Sequence, residues 1–447
     1  MKKSIGVSAG GMLLLFSTMA MAASELEQKG LTPVGAERAA NAAATIPAWT
    51  GGISKAPAGF KEGDHYPNPF AGEKPLYTVT ASNMSSYAAN LSVGQQALLK
   101  KYPTWKMIVY PSHRTAAFPS AVYEASANNL KAVSLVDGGN GFVGTSAGVP
   151  FPRPKVGVEV IWNHVTAYRG DSFSTSSQQA AVTTSGDYTA VHFETDFDFH
   201  YNNLLKKPAE REPNKLVNFL QQTTAPARLA GQALLIHEYI DQVKNPRMAW
   251  TYNPGQRRVR LAPNVAYDNP GAASDGLKTN DDFALFNGAT DRYDWELVGK
   301  KELLVPYNDY ALGSDALKLK DIVMPGHINP IHARYELHRV WVVEARLKKG
   351  ISHLYSRRTF YVDEDSWSIL LADTYDSRGQ LWRVSELHTV QAYNIPALLP
   401  VAEVHHDLLS ARYIVSGLIN EEAVVYRRKS FNSSDFSPNG LRRAGTR

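Results

Sequence analysis

One short segment of this chain carries the spacing of a hydrolase nucleophile. Gly144-Thr145-Ser146-Ala147-Gly148 matches the pattern G-x-S-x-G, which places a strained serine between a strand and a helix. The segment that follows, 149–154, contains three prolines and cannot begin a helix. The sequence therefore predicts an irregular loop here and gives only weak support to an envelope hydrolase.

The histidines do not have the spacing of a metal site. His237-Glu238 lacks the second histidine, four residues beyond the first, that a zinc-binding helix requires. His327 and His332 are separated by a proline-containing loop, and His405 and His406 are adjacent. These pairs are typical of solvated or capping histidines rather than of metal ligands.

Three consecutive acids, Asp363, Glu364 and Asp365, resemble a calcium loop but lie between two strand candidates, where a hairpin turn is expected. The chain has no cysteine, which excludes disulfides, thiolate metal sites and a catalytic thiol. The sequence therefore predicts no metal, no cofactor and no enzymatic activity.

Large aromatic side chains recur in consecutive strand candidates of the second half. We predict that they contact a hydrophobic ligand together with three neighbours on the Trp341 strand; the candidate residues are Trp250, Tyr252, Trp295, Tyr335, Leu337, Arg339, Trp341, Val343, Trp367, Tyr375 and Trp382. The same pattern also fits plain core packing under helices, so both interpretations stay open. Arg339 interrupts the apolar face and could bind a ligand carboxylate or phosphate, but a buried salt bridge to a strand acid is favoured.

The positions of these residues follow from a succession of predicted strands. Residues 334–348 alternate between an apolar face and a charged face, which is typical of an antiparallel strand with one dry side and one wet side. Further strands are predicted at 233–242, 247–252, 257–261, 293–298, 300–306, 353–362, 366–376 and 381–390. Short turns separate them, so we expect a mainly β, α+β fold with a curved antiparallel sheet or incomplete barrel.

The first half is predicted to be rich in helices and loops. Thr32 as N-cap and Pro33 at the first helical position predict a helix to about Ala44. Further helices are expected within 81–102, 120–135 and 156–168, and a strand at 182–201. We divide the chain into a signal peptide (1–22), a helix with an irregular wrapping segment (23–80), and one domain (81–447) that is strand-rich over 182–390.

The N-terminus has the features of a secretory signal. Lys2 and Lys3 precede an apolar run, and Ala20-Met21-Ala22 provides the small residues that a signal peptidase accepts, with cleavage between Ala22 and Ala23. Export without disulfides favours the periplasm. The net charge of +5 is dispersed, which argues against nucleic-acid binding, and no other segment could span a membrane.

Long motifs also carry a resemblance to a known family. The matching stretches are LTPVGAERAANAAATIPAWTGG (31–52), PFPRPKVGVEVIWNH (150–164), RMAWTYNPGQRRVRLAP (247–263), DRYDWELVGKKELLVPYNDY (291–310), RYELHRVWVVEARLK (334–348) and FYVDEDSWSILLADTYDSRGQLWR (360–383). They resemble Gram-negative periplasmic proteins of a domain-of-unknown-function family that is often labelled outer membrane lipoprotein-sorting protein.

This resemblance implies a LolA/LolB-like fold, an incomplete antiparallel β-barrel whose concave face is plugged by helices and holds acyl chains. It also implies partners, because genes of such families often lie beside inner-membrane transporters of the resistance-nodulation-division type and an outer-membrane protein. The chain is about twice as long as such a half-barrel requires, so its ligand is expected to differ.

Two main hypotheses follow. In the first, the protein is a periplasmic carrier or adaptor that binds a lipid or other hydrophobic molecule and passes it between envelope partners. In the second, its own side chains fill the barrel, and it is a structural or interaction module of an envelope complex.

Overall fold

A single large sheet forms the body of the protein in the computed structural model, which describes residues 24–446. The predicted signal cleavage between Ala22 and Ala23 lies outside these residues. The strands are β1 (Tyr77–Val79), β2 (Met107–Val109), β3 (Ser134–Val136), β4 (Gly141–Val143), β5 (Ser172–Val182), β6 (Tyr188–Phe199), β7 (Lys215–Ala225), β8 (Ala233–Tyr239), β9 (Met248–Asn253), β10 (Arg258–Leu261), β11 (Tyr293–Pro306), β12 (Tyr335–Leu347), β13 (Arg357–Asp363), β14 (Ile369–Tyr375), β15 (Leu381–Ala392), β16 (Ala397–Asp407), β17 (Arg412–Leu418) and β18 (Arg427–Arg428).

Sixteen of these strands form one open, curved and almost entirely antiparallel sheet. Fourteen of them follow one another in the order β1-β2-β12-β13-β14-β15-β16-β17-β5-β6-β7-β8-β9-β10, and the other two lie beside this path. β11 pairs with β12, and β18 pairs with β5. β11 also contacts β14 and β15, with which it does not pair, so the sheet curls tightly at that end. Within the described residues the sheet does not close into a barrel, and the predicted fold class is confirmed.

The helices are short and lie against the sheet. They are α1 (Glu25–Gln28), α2 (Val93–Lys101), α3 (Ser120–Ala132), α4 (Gly157–Val165), α5 (Leu319–Ile322) and α6 (Pro438–Gly445), with 3₁₀ turns at Met84–Asn90, Asp137–Gly139, Pro208–Glu210, Pro263–Ala266 and Asn280–Leu285. Ser92 caps α2 through a reciprocal capping box with Gln95. No helix among residues 24–446 is long and apolar enough to cross a membrane.

The predicted helix from Thr32 to Ala44 is wrong. The Thr32 side chain instead accepts a hydrogen bond from Ala36 N in a tight turn, and Leu31 pairs with Glu37. Gly35 has φ +95° and lies so close to the Pro152 backbone that a Cβ would be 1.9 Å from its carbonyl oxygen. The chain therefore has to turn at Gly35, which a regular helix does not allow.

Most of the predicted strands exist, with two kinds of difference. The segments 293–298 and 300–306 form one strand, β11, with an irregularity between Leu297 and Gly299. β5, β7, β16 and β17 were not predicted, nor were the short strands β1–β4 and β18. The sequences of β5 and β7 mix small, amide and hydroxyl side chains with the apolar ones, and β16 contains Pro400.

The wet face predicted for β12 is also wrong over most of its length. Glu336, His338, Val340 and Val342 are all buried, as are most residues on the opposite face. The aliphatic residues face Leu303 and other side chains of the curled end. Of residues 335–347, only Arg346 is exposed, while Leu337, Trp341, Glu344 and Leu347 are half-buried and the rest are buried.

Candidate functional site

A cavity of about 280 Å³ opens on one face of the sheet. Its walls come from β5, β6, β7 and β8 on one side and from β15, β16 and β17 on the other, and the segment 271–287 crosses over it. The end of α4 closes one side, where His164 and Val165 belong to the lining. The volume lies near the lower end of the range of about 300–1,000 Å³ that is usual for ligand pockets.

Phenylalanine dominates the lining, and we call this site the phenylalanine cavity. It includes seven of the chain's 16 phenylalanines: Phe173, Phe193, Phe197, Phe199, Phe219, Phe283 and Phe286. The Phe197 ring stacks on Phe173 at 5.0 Å between centroids and meets Phe219 edge to face at 5.2 Å. These contacts form a continuous apolar wall across β5, β6 and β7.

The segment over the cavity is fixed by buried ion pairs. Arg358 on β13 donates to Asp281 at 2.8 Å and to Asp282 at 2.6 Å, and His353 lies 3.0 Å from Asp281. Although burial opposes it, Arg358 and His353 hold the pKa of Asp281 well below its usual range. Phe283, which follows these aspartates, keeps 42% of its surface exposed at the cavity.

Two of the charged pairs in the lining neutralise themselves. Glu238 forms an ion pair with Arg247, and Lys278 lies 3.1 Å from Glu403. Burial raises the pKa of Glu238 although Arg247 opposes this, whereas Lys278 and His405 overcome burial and lower the pKa of Glu403 to about 2. Neither pair leaves a net charge in the cavity when both partners are ionised.

Arg169 and His164 complete the lining. The Arg169 Nη2 donates to the His164 carbonyl oxygen at 3.1 Å. Burial, with a smaller contribution from Arg169, lowers the pKa of His164 to about 3, so this imidazole is neutral at physiological pH. Among the described residues no acidic group forms an ion pair with Arg169, which leaves it as the excess positive charge of the cavity.

A second cavity, of about 760 Å³, is a more open groove between the N-terminal segment, α3 and the proline-rich segment 150–155. Its lining mixes charged side chains such as Glu37, Lys155 and Lys300 with Trp341. Lys300 Nζ lies 4.6 Å from the centre of the Trp341 ring. This groove offers both signs of charge and much less aromatic surface than the phenylalanine cavity.

The predicted site residues do not line the phenylalanine cavity. Val343 and Trp367 are buried, and Trp295 and Trp341 partly buried, in the core cluster that α4 covers. Tyr335 and Leu337 pack with α2 in another cluster. Of these residues only Trp341 reaches a cavity, the open groove, so the rest correspond to the core-packing interpretation.

The remaining predicted residues are also engaged elsewhere. Trp250 and Tyr252 pack against the α6 side of β8 and β9, on the face opposite the cavity. Arg357 covers the Tyr375 ring at 3.7 Å, and the Trp382 indole donates to Asp407 at 2.9 Å. Their assignment as ligand contacts stays a prediction, but the geometry favours the phenylalanines instead.

Arg339 takes the salt-bridge alternative. Its guanidinium is buried, lies 3.2 Å from Glu364 and donates to the Ala39 carbonyl at 2.9 Å. The prediction was a strand acid, but Glu364 lies in the hairpin between β13 and β14.

A buried charged cluster fills the curled end of the sheet, and we call it the charged core. Its members are Arg114, Arg334, Glu336, His338, Asp363, Glu364 and Asp365. His338, Asp363 and Asp365 lie close enough together to suggest a metal site. However, Arg114 binds both oxygens of Asp365, at 2.8 and 2.7 Å, and burial is outweighed by Glu336 and Asp363, which raise the pKa of His338. Arg114 neutralises Asp365, and Asp363 accepts hydrogen bonds from Tyr307 and Ser366, so the cluster is a network of ion pairs and hydrogen bonds rather than a metal-ligand set.

The segment Gly144–Gly148 is an irregular loop, as predicted. Asn129 donates to the carbonyl oxygens of Ala147 and Val149, and Ser146 accepts a backbone hydrogen bond from Asn202. The loop therefore lacks the strand-to-helix turn that a nucleophile elbow requires.

Comparison with known proteins now places the chain in a family. The model of the DUF1329 family, described as a protein of unknown function, matches residues 78–442. An uncharacterized protein from Pseudomonas aeruginosa is 47% identical over 446 residues, which cover 99% of this chain and 98% of the relative. The chain belongs to the DUF1329 family.

Two solved structures overlap part of the fold. A domain from Vibrio parahaemolyticus, provisionally described as an outer membrane lipoprotein-sorting protein, has a TM-score of 0.44 and 13% identity, covering 64% of this chain and 98% of its own. A LolA superfamily protein from Nitrosomonas europaea has a TM-score of 0.38 and 14% identity, covering 64% and 98%.

The cavity residues that the sequence analysis missed do carry a signal. Phe193, Phe197 and Phe199 recur with a period of two in β6, and β5 continues the same face with Phe173. A search for alternating phenylalanines would have found this wall. Tryptophan indicates a cavity less clearly, because it is also the largest core residue.

Proposed function

We propose that this protein is a periplasmic carrier or adaptor that shelters a lipid or other hydrophobic molecule in the phenylalanine cavity. The observation that carries the proposal is an aromatic hollow that the chain's own side chains leave unfilled. Each Å² of ligand surface removed from water there stabilises the complex by about 25 cal/mol. The signal-like N-terminus supports the periplasmic location.

The proposal includes no catalytic step and no cofactor. In support, four of the charged side chains around the cavity form two pairs, Glu238–Arg247 and Lys278–Glu403. We further propose that the ligand is exchanged with an inner-membrane transporter of the resistance-nodulation-division type and an outer-membrane protein, on the basis of the sequence resemblance.

The test is to fill the cavity. Ile236 lies on β8 in the cavity lining, so Ile236→Trp should occupy the space that the ligand needs. Wild-type protein, purified without detergent and delipidated, should bind a fluorescent naphthylamine dye with micromolar or tighter affinity, and Ile236→Trp should weaken this at least about tenfold.

The matched control is Leu205→Trp, which adds the same ring at a position that is 64% exposed and outside the cavity lining. This variant should bind the dye as the wild type does. If the wild-type protein binds no apolar probe, the carrier hypothesis is rejected and the structural or interaction module is favoured.

The packed state of the charged core favours the module as the second candidate. There the side chains of the chain satisfy one another, and the neighbouring open groove presents mixed charge rather than an apolar hollow. Retention of the dye by wild-type protein and its loss in Ile236→Trp would exclude a module that binds no ligand.

A further inference from the structure

Among the described residues, Arg169 is the cation of the phenylalanine cavity that forms no ion pair. Arg169 lies between α4 and β5, in the cavity lining, and is partly accessible there. Within the described part of the chain, its one hydrogen bond is from Nη2 to the His164 carbonyl oxygen, at 3.1 Å. A guanidinium has five N–H donors, so most of its capacity is left for another group.

The surroundings of Arg169 make this state costly for the protein. Burial alone lowers the pKa of Arg169 to about 10, without an acid to offset the shift. By contrast, Arg247 and Lys278 in the same lining each contact a glutamate. A guanidinium that is partly withdrawn from water without a counter-ion destabilises the fold, so an unpaired arginine here indicates a partner that arrives with the ligand.

The charges of the whole lining agree with an anionic partner. Its ionisable groups, besides the tyrosines, are Arg169, the two ion pairs and His164, and His164 is neutral at physiological pH. One positive charge is therefore in excess when both pairs are ionised. Protonation of Glu238, whose pKa burial raises, would only increase this excess.

We infer that the ligand is a single-chain amphiphile whose anionic head, a carboxylate or a phosphate, is bound by Arg169 while its apolar chain lies along the phenylalanine wall. This inference rests on the proposed function and adds the ligand class to it. The volume of about 280 Å³ fits one chain better than the several chains of a complete membrane lipid. The planar fork of arginine suits both kinds of head group.

The test compares three probes with the same C16 chain: palmitic acid, hexadecyl phosphate and hexadecanol. Wild-type, delipidated protein should bind at least one of the anions about ten- to a hundredfold more tightly than the alcohol, because only the anion forms charge-assisted hydrogen bonds. Comparison of the acid with the phosphate identifies the head group.

The decisive variant is Arg169→Met, which keeps an unbranched apolar stem and removes the guanidinium. It should bind the preferred anion only as tightly as the alcohol, while hexadecanol binding stays unchanged. Arg169→Lys should retain part of the preference. Arg260→Met, at an exposed position on β10, is the matched control and should keep the wild-type preference.

Equal binding of anion and alcohol by the wild type would overturn the inference and leave the hydrophobic carrier standing. An unchanged preference in Arg169→Met would also overturn it. Absence of binding for all three probes would instead reject the proposed function itself. The wild-type comparison decides the question even if the variants fail to fold.

Discussion

The charged core and the phenylalanine cavity belong to one sheet but differ in whether their buried groups have partners within the chain. In the charged core, Arg114 holds Asp365 through two hydrogen bonds, and Arg334 binds Glu336 at 2.6 Å, so buried charges meet partners from the same chain. In the cavity, the aromatic surface and Arg169 are left without such a complement. The difference indicates that the curled end is satisfied by its own side chains, whereas the cavity leaves groups available to the proposed ligand.

The boundary between the two regions is a set of ion pairs. Arg358 belongs to β13, whose neighbour β12 carries the charged core, yet it binds Asp281 and Asp282 of the segment that covers the cavity. The segment that crosses over the phenylalanine cavity is therefore anchored by buried ion pairs, like those of the charged core. Four experiments test this difference between the two regions.

The largest effect is expected from Arg358→Met. The substitution leaves Asp281 and Asp282 buried without their main cation, which costs about 3–5 kcal/mol of the free energy of unfolding. Urea denaturation measures this loss. The control Arg258→Met, at an exposed position on β10, should change stability by no more than about 0.5 kcal/mol. A loss below about 1 kcal/mol for Arg358→Met would contradict the anchoring role.

A pair of phenylalanine truncations compares packed and hollow surroundings directly. Phe360 is fully buried beneath α4, so Phe360→Ala should cost about 3–5 kcal/mol. Phe219 is only partly buried and faces the cavity, so Phe219→Ala should cost about 1–2 kcal/mol while weakening dye binding. Equal losses of stability, measured by urea denaturation, would mean that the cavity is packed as tightly as the core.

β6, β8 to β15 and three of the four predicted helices could be read from the sequence because their signals are local. The period of two in β12 and the Ser92 cap of α2 depend on neighbouring residues only. Solvent exposure on β12 could not, since Glu336 is buried by partners distant in the chain, such as Asn308 and the backbone of His113. The turn at Gly35 likewise depends on contact with Pro152.

The candidate site was harder to predict for the same reason. Trp341 and Phe197 both lie in alternating strands, and sequence alone does not say which is covered by a helix. α4 covers the Trp341 region, whereas the cavity is left open beside its last residues, His164 and Val165. The position of one helix therefore decides which aromatic surface becomes a cavity wall.

The pH dependence of stability tests whether the buried His406 of β16 is packed as a neutral ring. Burial lowers the pKa of His406 to about 3, so the folded state keeps it neutral while the unfolded chain protonates it below about pH 6.5. Its contribution is present above this pH and is lost as the pH falls, by about 2 kcal/mol at pH 5. His406→Phe should therefore gain about 2 kcal/mol relative to the wild type between pH 7 and 5, measured by urea denaturation at each pH. A difference that does not change with pH would show that His406 is not buried as a neutral ring.

The smallest effect is expected from a substitution of Glu344, near the end of β12 and outside the charged core. Glu344 contacts Arg346 and lies 3.3 Å from Arg357, but these arginine side chains are 60% and 31% exposed. Water screens such pairs, so Glu344→Gln should cost no more than about 1 kcal/mol, and the cost should shrink further in high salt. Urea denaturation at low and high ionic strength measures both. A loss of 2 kcal/mol or more that is insensitive to salt would mean that the charged interior extends to the end of β12.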